Sequence, residues 1–493
     1  MNQKTMMTDL YELTMAQTYF QDGKKDEIVY FDSFFRSIPN QGGYALMGGN
    51  EEIVEYIKNF HFTEEDIEYL RSTNLFTEEF LSYLKDLKFT GDIYMVPTGT
   101  PVFPNEPIVT VRAKTIEAQI IETALLSYLN AGIKFTTCAR KLKESALEIP
   151  IMEFGARRAD GPDAAIMASK YAYIAGCSGT SNVYAGKKYQ IPIMGTMAHS
   201  FITDYEDEYE AFLAYAKMYP ENSVFLVDTY NTLKSGVPNA IRVAKDYLIP
   251  NGYRLKGIRI DSGDLAYETK MARKMLDEAG MQDATICISN GLTAKTINSL
   301  KEQGACFDSI GAGDNITAPN IRIGCVYKLA GLEENNKIIP KIKISNDKIK
   351  TTNPGYKKVY RFYDKETGYA LGDVITVHHE KLPMDEYTLI DPENRHNKKT
   401  IRNYEIRELQ ELVFQNGVFV GPQMSIENLR NHCEIEMNRL YPEIKREEMP
   451  HQYYVDLSEE LYALKEELLA YYSLEERGKV YAKRKENRIF KNS

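Results

Sequence analysis

The most regular feature of the chain is a recurrence of short apolar runs between residues 149 and 310. They are Ile149-Pro150-Ile151-Met152, Ile191-Pro192-Ile193-Met194, Ser223-Val224-Phe225-Leu226-Val227, Gly257-Ile258-Arg259-Ile260, Thr285-Ile286-Cys287-Ile288 and Cys306-Phe307-Asp308-Ser309-Ile310. Apolar runs of this length read as strands buried on both faces. Most intervals carry apolar residues at helical spacing, as over 264–279 and 294–303. Strand and helix in alternation make parallel βα units, and six in succession predict an α/β barrel more than an open sheet.

The flanks read differently. Residues 8–21 have helical spacing behind Thr8, which can cap a first turn, and 27–35 read as a strand. Helical patterns fill 50–88, with Thr63 ahead of an acidic first turn; from Gly91 the period falls to two through 92–96, 101–103 and 107–112. Helical patterns over 115–129 and 136–146 lead into the first barrel strand. After Leu329 the chain turns β-like and basic, with Lys341 and Lys343 on what reads as a solvated strand edge, and from about 404 onward it reads as charged helices. The expected organisation is an N-terminal α+β domain over 1–114, an α/β barrel catalytic domain over 115–332 and a β-rich, then helical, C-terminal extension over 333–493.

In a βα barrel the chemistry sits at the C-terminal ends of the strands. Each run here ends in polar or glycine-rich residues: Gly155 to Asp160, Gly195 to Ser200, Asp228-Thr229-Tyr230-Asn231, Asp261-Ser262-Gly263-Asp264, Ser289-Asn290-Gly291 and Gly311-Ala312-Gly313-Asp314-Asn315. Any one of these is an ordinary turn or cap, and six on one rim make a candidate site. Arg157 and Arg158 follow the first strand, and a guanidinium presents a planar fork of donors suited to a carboxylate or a phosphate. His199 emerges just beyond the second run.

Composition narrows the ligand class. The 493-residue chain is 43% hydrophobic and 26% charged with a net charge of −10, which argues against a broad phosphate-tracking surface for nucleic acid. Any phosphate ligand is therefore held by local basic groups. The cysteines at 138, 177, 287, 306, 325 and 433 never fall at zinc-finger or redox-motif spacing. His378 and His379 are adjacent on a strand-like run, so they point to opposite faces and make a poor metal pair. No apolar run nears 18 residues and the N-terminus lacks a basic segment followed by an apolar one, so a cytoplasmic setting is expected.

Glu153-Phe154-Gly155-Ala156-Arg157-Arg158-Ala159-Asp160-Gly161-Pro162-Asp163 and Gly195-Thr196-Met197-Ala198-His199-Ser200-Phe201 resemble the signature of the nicotinate phosphoribosyltransferase family. Further matching stretches run in order: Thr8-Asp9-Leu10-Tyr11, Leu226-Val227-Asp228-Thr229-Tyr230, Gly257-Ile258-Arg259-Ile260-Asp261-Ser262-Gly263-Asp264, Val326-Tyr327-Lys328-Leu329 and Tyr454-Val455-Asp456-Leu457-Ser458. The resemblance implies a type II phosphoribosyltransferase fold, with an N-terminal α/β domain, an incomplete barrel and a C-terminal extension, assembled as a homodimer. It implies transfer of phosphoribose from phosphoribosyl pyrophosphate to nicotinate in NAD salvage, with Mg²⁺ present and with ATP hydrolysis coupled through a phosphohistidine.

By the same resemblance His199 is the phosphorylated residue, and Asp228 and Asp261 complete the catalytic set. Arg157 would hold the nicotinate carboxylate and Tyr11 of the partner subunit would stack on the pyridine ring. Gly195, Thr196, Arg259, Asn290, Gly311 and Gly313 join the substrate-binding set, while the metal ligands stay open. A nicotinamide phosphoribosyltransferase and a non-catalytic phosphoribosyl-binding homologue are the alternatives. Three residues differ from the family pattern: Asn231 and Gly291 stand where aspartate is usual, and Asp314 where threonine is usual. A carboxylate at 314 repels a phosphate in the adjoining glycine-rich cradle unless a metal or a basic neighbour offsets it.

Overall fold

The computed structural model describes residues 4–472 apart from 336, 346, 348, 349 and 393. The expected helical extension beyond 472 lies outside the described residues. These form two compact units: one holds 4–130, 322–423 and 435–472, the other 131–321 and 424–434.

The second unit contains the six parallel strands. They are β1 (Ile151–Glu153), β2 (Gly179–Thr180), β3 (Val224–Leu226), β4 (Gly257–Ile260), β5 (Thr285–Ile288) and β6 (Ser309–Ala312). The sheet order is β2-β1-β6-β5-β4-β3, all pairs parallel. The first strand thus lies beside the last, which is barrel order, and one seam remains between β2 and β3. Ile151, Phe225, Ile258, Ile286 and Ile310 are fully buried, and each such side chain contributes about 1.5–3 kcal/mol relative to exposure.

Two expected strands shift. The run 191–194 is not a strand of the sheet: only Ile193 makes a parallel bridge, to Thr180. Pro192 has no N–H to donate and Ile193 is 61% exposed, so neither the ladder nor burial supports a longer pairing. The second strand is instead Gly179–Thr180, too short to leave an apolar run. The last strand begins at Ser309, because Asp308 turns its carboxylate to accept from the Ile286 N–H at 2.8 Å.

Helices between the strands begin on sequence signals. Pro162 opens the helix Pro162–Ile174; Asp207, Asp264 and Thr293 cap Glu208–Met218, Leu265–Glu278 and Ala294–Glu302 through side-chain oxygens. The later segment 424–434 belongs to this unit too. Its Arg430 guanidinium donates to the carbonyls of Tyr173 at 2.5 Å, Gly176 at 3.1 Å and Cys177, at the C-terminal end of Pro162–Ile174.

The first unit is built on a seven-stranded antiparallel sheet, in the order Lys337–Pro340, Val326–Glu334, Ile28–Phe34, Val109–Lys114, Asp92–Met95, Glu411–Gln415, Val418–Phe419. A second sheet orders Tyr404–Glu408, Lys357–Asp364, Ala370–Val377 and Val455–Leu457. The stretch 404–419 is therefore strand where charged helices were expected: Tyr404 and the half-buried Ile406 flank the exposed Glu405, a period of two that charge content masks. The first helix runs Leu10–Gln21, and Thr8 donates to the Glu12 carboxylate instead of capping it. Farther on, Glu122–Ala146 is one helix across the expected break. His378 and His379 follow the end of Ala370–Val377, the first stacked on Tyr356 with ring centroids 4.9 Å apart and the second paired with Glu460 at 2.9 Å. No helix among the described residues is long and apolar enough to cross a membrane.

Candidate active site

The strand ends of the second unit carry one continuous polar network. His199 is the first residue of a short helix, His199–Thr203, in the connection that runs from β2 to β3. Its Nε2 lies 3.2 Å from Oδ1 of Asp228, which follows β3. The imidazole is 42% exposed and the Asp228 side chain 1%. Oδ2 of Asp228 accepts from the Asp261 N–H at 3.1 Å and from Ser262 Oγ at 2.5 Å. Asp228 thus joins the β2–β3 connection, through His199, to the residues that follow β4.

Asp261 extends the network. Its Oδ1 accepts from Arg259 Nη2 at 3.0 Å and from the Ser289 hydroxyl. Arg259 also donates from Nε to Ser289 Oγ at 2.8 Å and from Nη1 to Thr196 Oγ1 at 2.9 Å. Its guanidinium carbon stands 5.6 Å from the centre of the Phe154 ring. Five expected site residues, Thr196, His199, Asp228, Arg259 and Asp261, are therefore tied together by side-chain bonds. Behind them Glu268 accepts from Thr232 at 2.9 Å; burial raises its pKa, Thr232 opposes that, and the charges of Asp228 and Asp264 add to the rise.

The glycine positions follow from close approach. A Cβ at Gly311 would stand 2.6 Å from the Phe154 ring, and one at Gly155 2.4 Å from the Thr317 side chain. Gly313 lies 3.3 Å, by the same measure, from the Phe154 carbonyl, whereas Gly195 faces open space. Asn290 has φ of 107°, an uncommon conformation for a residue with a side chain, and is exposed beside a concavity that Gly263 and Asp264 also line. Arg157 is exposed on a single helical turn, Ala156–Arg158, with no side-chain partner among the described residues. Tyr11 belongs to the other unit, near the start of Leu10–Gln21, and is 45% exposed.

The three unusual residues each have a local role. Asn231 caps the turn Thr232–Gly236 by accepting from the Lys234 N–H at 2.8 Å. Gly291 has φ of 57°, and its carbonyl accepts from Asn315 at 2.9 Å. Asp314 lies 3.5 Å from the Arg158 guanidinium, the basic neighbour that the glycine-rich cradle calls for. Ser262 and Ser289 lie within the rim stretches, and Glu153 and Phe154 within the first motif, with no role legible from the sequence, and Thr317 lies just beyond the last stretch.

No group of three or more His, Cys, Asp or Glu among the described residues could hold a metal ion. The exposed rim carboxylate of Asp264 and the partly exposed Asp261 suit a hydrated Mg²⁺, which is ordinarily bound by one or two carboxylates together with substrate phosphates.

Comparison with known proteins bears on the reaction class. The chain matches family models for the nicotinate phosphoribosyltransferase (NAPRTase) N-terminal domain over 6–130, the nicotinate phosphoribosyltransferase family over 149–379 and its C-terminal domain over 356–465. A nicotinate phosphoribosyltransferase of Bacillus subtilis (strain 168) is 42% identical over 466 residues, 94% of each chain. One from Dictyostelium discoideum is 33% identical over 93% of this chain and 87% of its own. The crystal structure of human nicotinic acid phosphoribosyltransferase superposes with a TM-score of 0.82 at 28% identity, covering 94% of this chain and 99% of that one. The chain belongs to the nicotinate phosphoribosyltransferase family and has its type II phosphoribosyltransferase fold.

Proposed function

We propose that the chain joins nicotinate to the ribose of phosphoribosyl pyrophosphate, yielding nicotinate mononucleotide and pyrophosphate for NAD salvage, and that ATP hydrolysis is coupled to this transfer through phosphorylation of His199. The observation that carries the reading is the bonded series His199, Asp228, Asp261, Arg259 and Thr196 at the strand ends.

A carboxylate only accepts hydrogen bonds, so the Nε2 that faces Asp228 carries the proton and Nδ1 keeps its lone pair. Nδ1 is then the nucleophile toward the γ-phosphorus of ATP: the N–P bond forms as the bond to ADP breaks, and Asp228 opposes the positive charge that builds on the ring. In the glycosyl step the bond from the anomeric carbon to pyrophosphate breaks as the bond to the nicotinate nitrogen forms. Positive charge develops on the ribose and negative charge on the leaving group; Asp228 and Asp261 oppose the first and Arg259 the second. When bound, Mg²⁺ supplies further charge neutralisation on the phosphates, with Asp261 and Asp264 the carboxylates within the rim to hold it.

Arg157, exposed and without a side-chain partner among the described residues, offers its fork to the nicotinate carboxylate. A homodimer in which Tyr11 of the partner subunit stacks on the pyridine, and a cytoplasmic setting, belong to the same proposal. Pyrophosphate release measured with nicotinate and nicotinamide in competition tests it. Preference for nicotinate is expected; preference for the amide overturns the assignment, and tight ligand binding without turnover would make the protein a non-catalytic binder.

A further inference from the structure

Glu153, the last residue of β1, is completely buried, although the mechanism above gives it nothing to do. Both of its oxygens are engaged. Oε1 accepts from the Gly155 N–H, while Oε2 accepts from Ser169 Oγ at 2.9 Å and Thr180 Oγ1 at 2.6 Å. Three elements therefore converge on one carboxylate: the turn after β1, the helix Pro162–Ile174 and the neighbouring strand β2.

The following peptide, between Gly155 and Ala156, is held as well. Its carbonyl accepts from Thr317 Oγ1 at 2.9 Å and from the Arg158 N–H at 2.8 Å. A Cβ on Gly155 would stand 2.4 Å from Thr317 and 2.7 Å from the Gly313 carbonyl, so the backbone has no room to move toward β6. With φ of −93° and ψ of −5° this residue makes the corner from which the turn Ala156–Arg158 departs. Arg157 itself has no side-chain partner among the described residues that would aim it, so its direction is inherited from the backbone two residues earlier.

We infer that Glu153 is a positioning residue: its buried carboxylate fixes the Gly155 peptide and so aims Arg157 at the carboxylate of the substrate. The inference rests on the proposed role of Arg157. A carboxyl side chain brings two acceptor oxygens to these three donors, where an amide of the same length brings one. Ser169 has a second acceptor, the Ala165 carbonyl at 2.9 Å, and Thr180 can turn its hydroxyl, whereas the Gly155 N–H meets no acceptor other than Glu153 among the described residues. The direction of the Gly155 peptide is thus the property most exposed to loss of this carboxylate.

The test is steady-state kinetics of the full-length protein and its Glu153→Ala and Glu153→Gln variants, with thermal melts to confirm folding. Loss of the buried acceptor in Glu153→Ala should raise the KM for nicotinate roughly tenfold, while the KM for phosphoribosyl pyrophosphate stays within about twofold. The preference for nicotinate over nicotinamide should shrink with it, because only the acid uses Arg157. Glu153→Gln retains one oxygen for the Gly155 N–H and should recover most of the preference, and it carries the test if Glu153→Ala fails to fold. Equal losses for both pyridine substrates, no change in either, or failure of both variants to fold would overturn the inference and make Glu153 purely structural. A wild-type protein with no nicotinate-dependent pyrophosphate release would instead overturn the reading beneath it, and the inference with it.

Discussion

Nε2 of His199 and Oδ1 of Asp228 lie 3.2 Å apart, joining a side chain 42% exposed to one only 1% exposed. The open partner can meet a solvent-borne phosphate while the closed one fixes its proton. Incubation with γ-labelled ATP is expected to give an acid-labile, base-stable label on the wild type, and none on His199→Ala, which should also lose ATPase activity. Because phosphorylation is not a step in making the glycosidic bond, that variant should keep a slow transfer with poor affinity for phosphoribosyl pyrophosphate. By reciprocity of linked equilibria, phosphoribosyl pyrophosphate should favour the label to the extent that the labelled state binds it better. Normal ATP-stimulated turnover in His199→Ala would remove His199 from the coupling.

Arg157→Ala should weaken nicotinate far more than phosphoribosyl pyrophosphate. Losing the partner of a desolvated carboxylate costs about 2–5 kcal/mol, a change read directly as apparent KM. No loss of folding stability is expected, since the exposed guanidinium has no side-chain partner to forfeit among the described residues. Equal weakening of both substrates would move the carboxylate contact elsewhere, with Arg158 the next candidate.

Asp314→Thr should lower the KM for phosphoribosyl pyrophosphate and Arg158→Ala should raise it. The Arg158–Asp314 pair is open to solvent on both sides, and such pairs contribute about 0–1 kcal/mol, so melting temperatures should barely change. Opposite movements of KM at constant stability would show that the arginine is shared between the carboxylate and a ligand phosphate. Identical KM values in both variants would place the phosphate away from β6.

Stability should fall between mildly acidic and mildly basic pH. Burial pushes Glu12 up to about 7 against the hydrogen bonds from Thr123 and Thr8, and burial likewise pushes Asp456 up to about 7. Folded-state values above the unfolded ones mean that the folded chain binds more protons, so stability present in acid is lost as pH rises through about 7. Glu12→Gln keeps an acceptor for Thr123 and removes one titration. Its melting temperature should gain on the wild type by roughly 1–2 °C between pH 6 and pH 8 for each kcal/mol relieved, measured by calorimetry. A parallel pH course for the two proteins would show that Glu12 does not titrate there.

The rim was legible because Asp228, Asp261 and Arg259 sit on or next to short apolar runs that recur in register with helices, where polar side chains have few other uses. β2 was not, since Gly179–Thr180 pairs through its backbone and shows no hydrophobic signal. Ile191-Pro192-Ile193-Met194 misled for the opposite reason: it is apolar and largely exposed, so hydrophobicity there does not report burial. Glu153 resembled an ordinary polar strand end because its role depends on Thr180 and Ser169, which sequence distance hides. Similarly, Tyr404 and Ile406 keep a two-residue period beneath the charges of Glu405, Arg407 and Glu408.

Arg430 imposes an order on biosynthesis. It lies 257 residues beyond Tyr173, whose carbonyl it caps together with those of Gly176 and Cys177. All six parallel strands have left the ribosome long before that arginine is added, so the helix Pro162–Ile174 begins life without its final donor. A gene shortened to end at 321 would encode every strand of the sheet and still leave this helix uncapped by Arg430. An isolated version would need residues 424–434 spliced back on, which makes the catalytic unit a graft of two distant pieces of message.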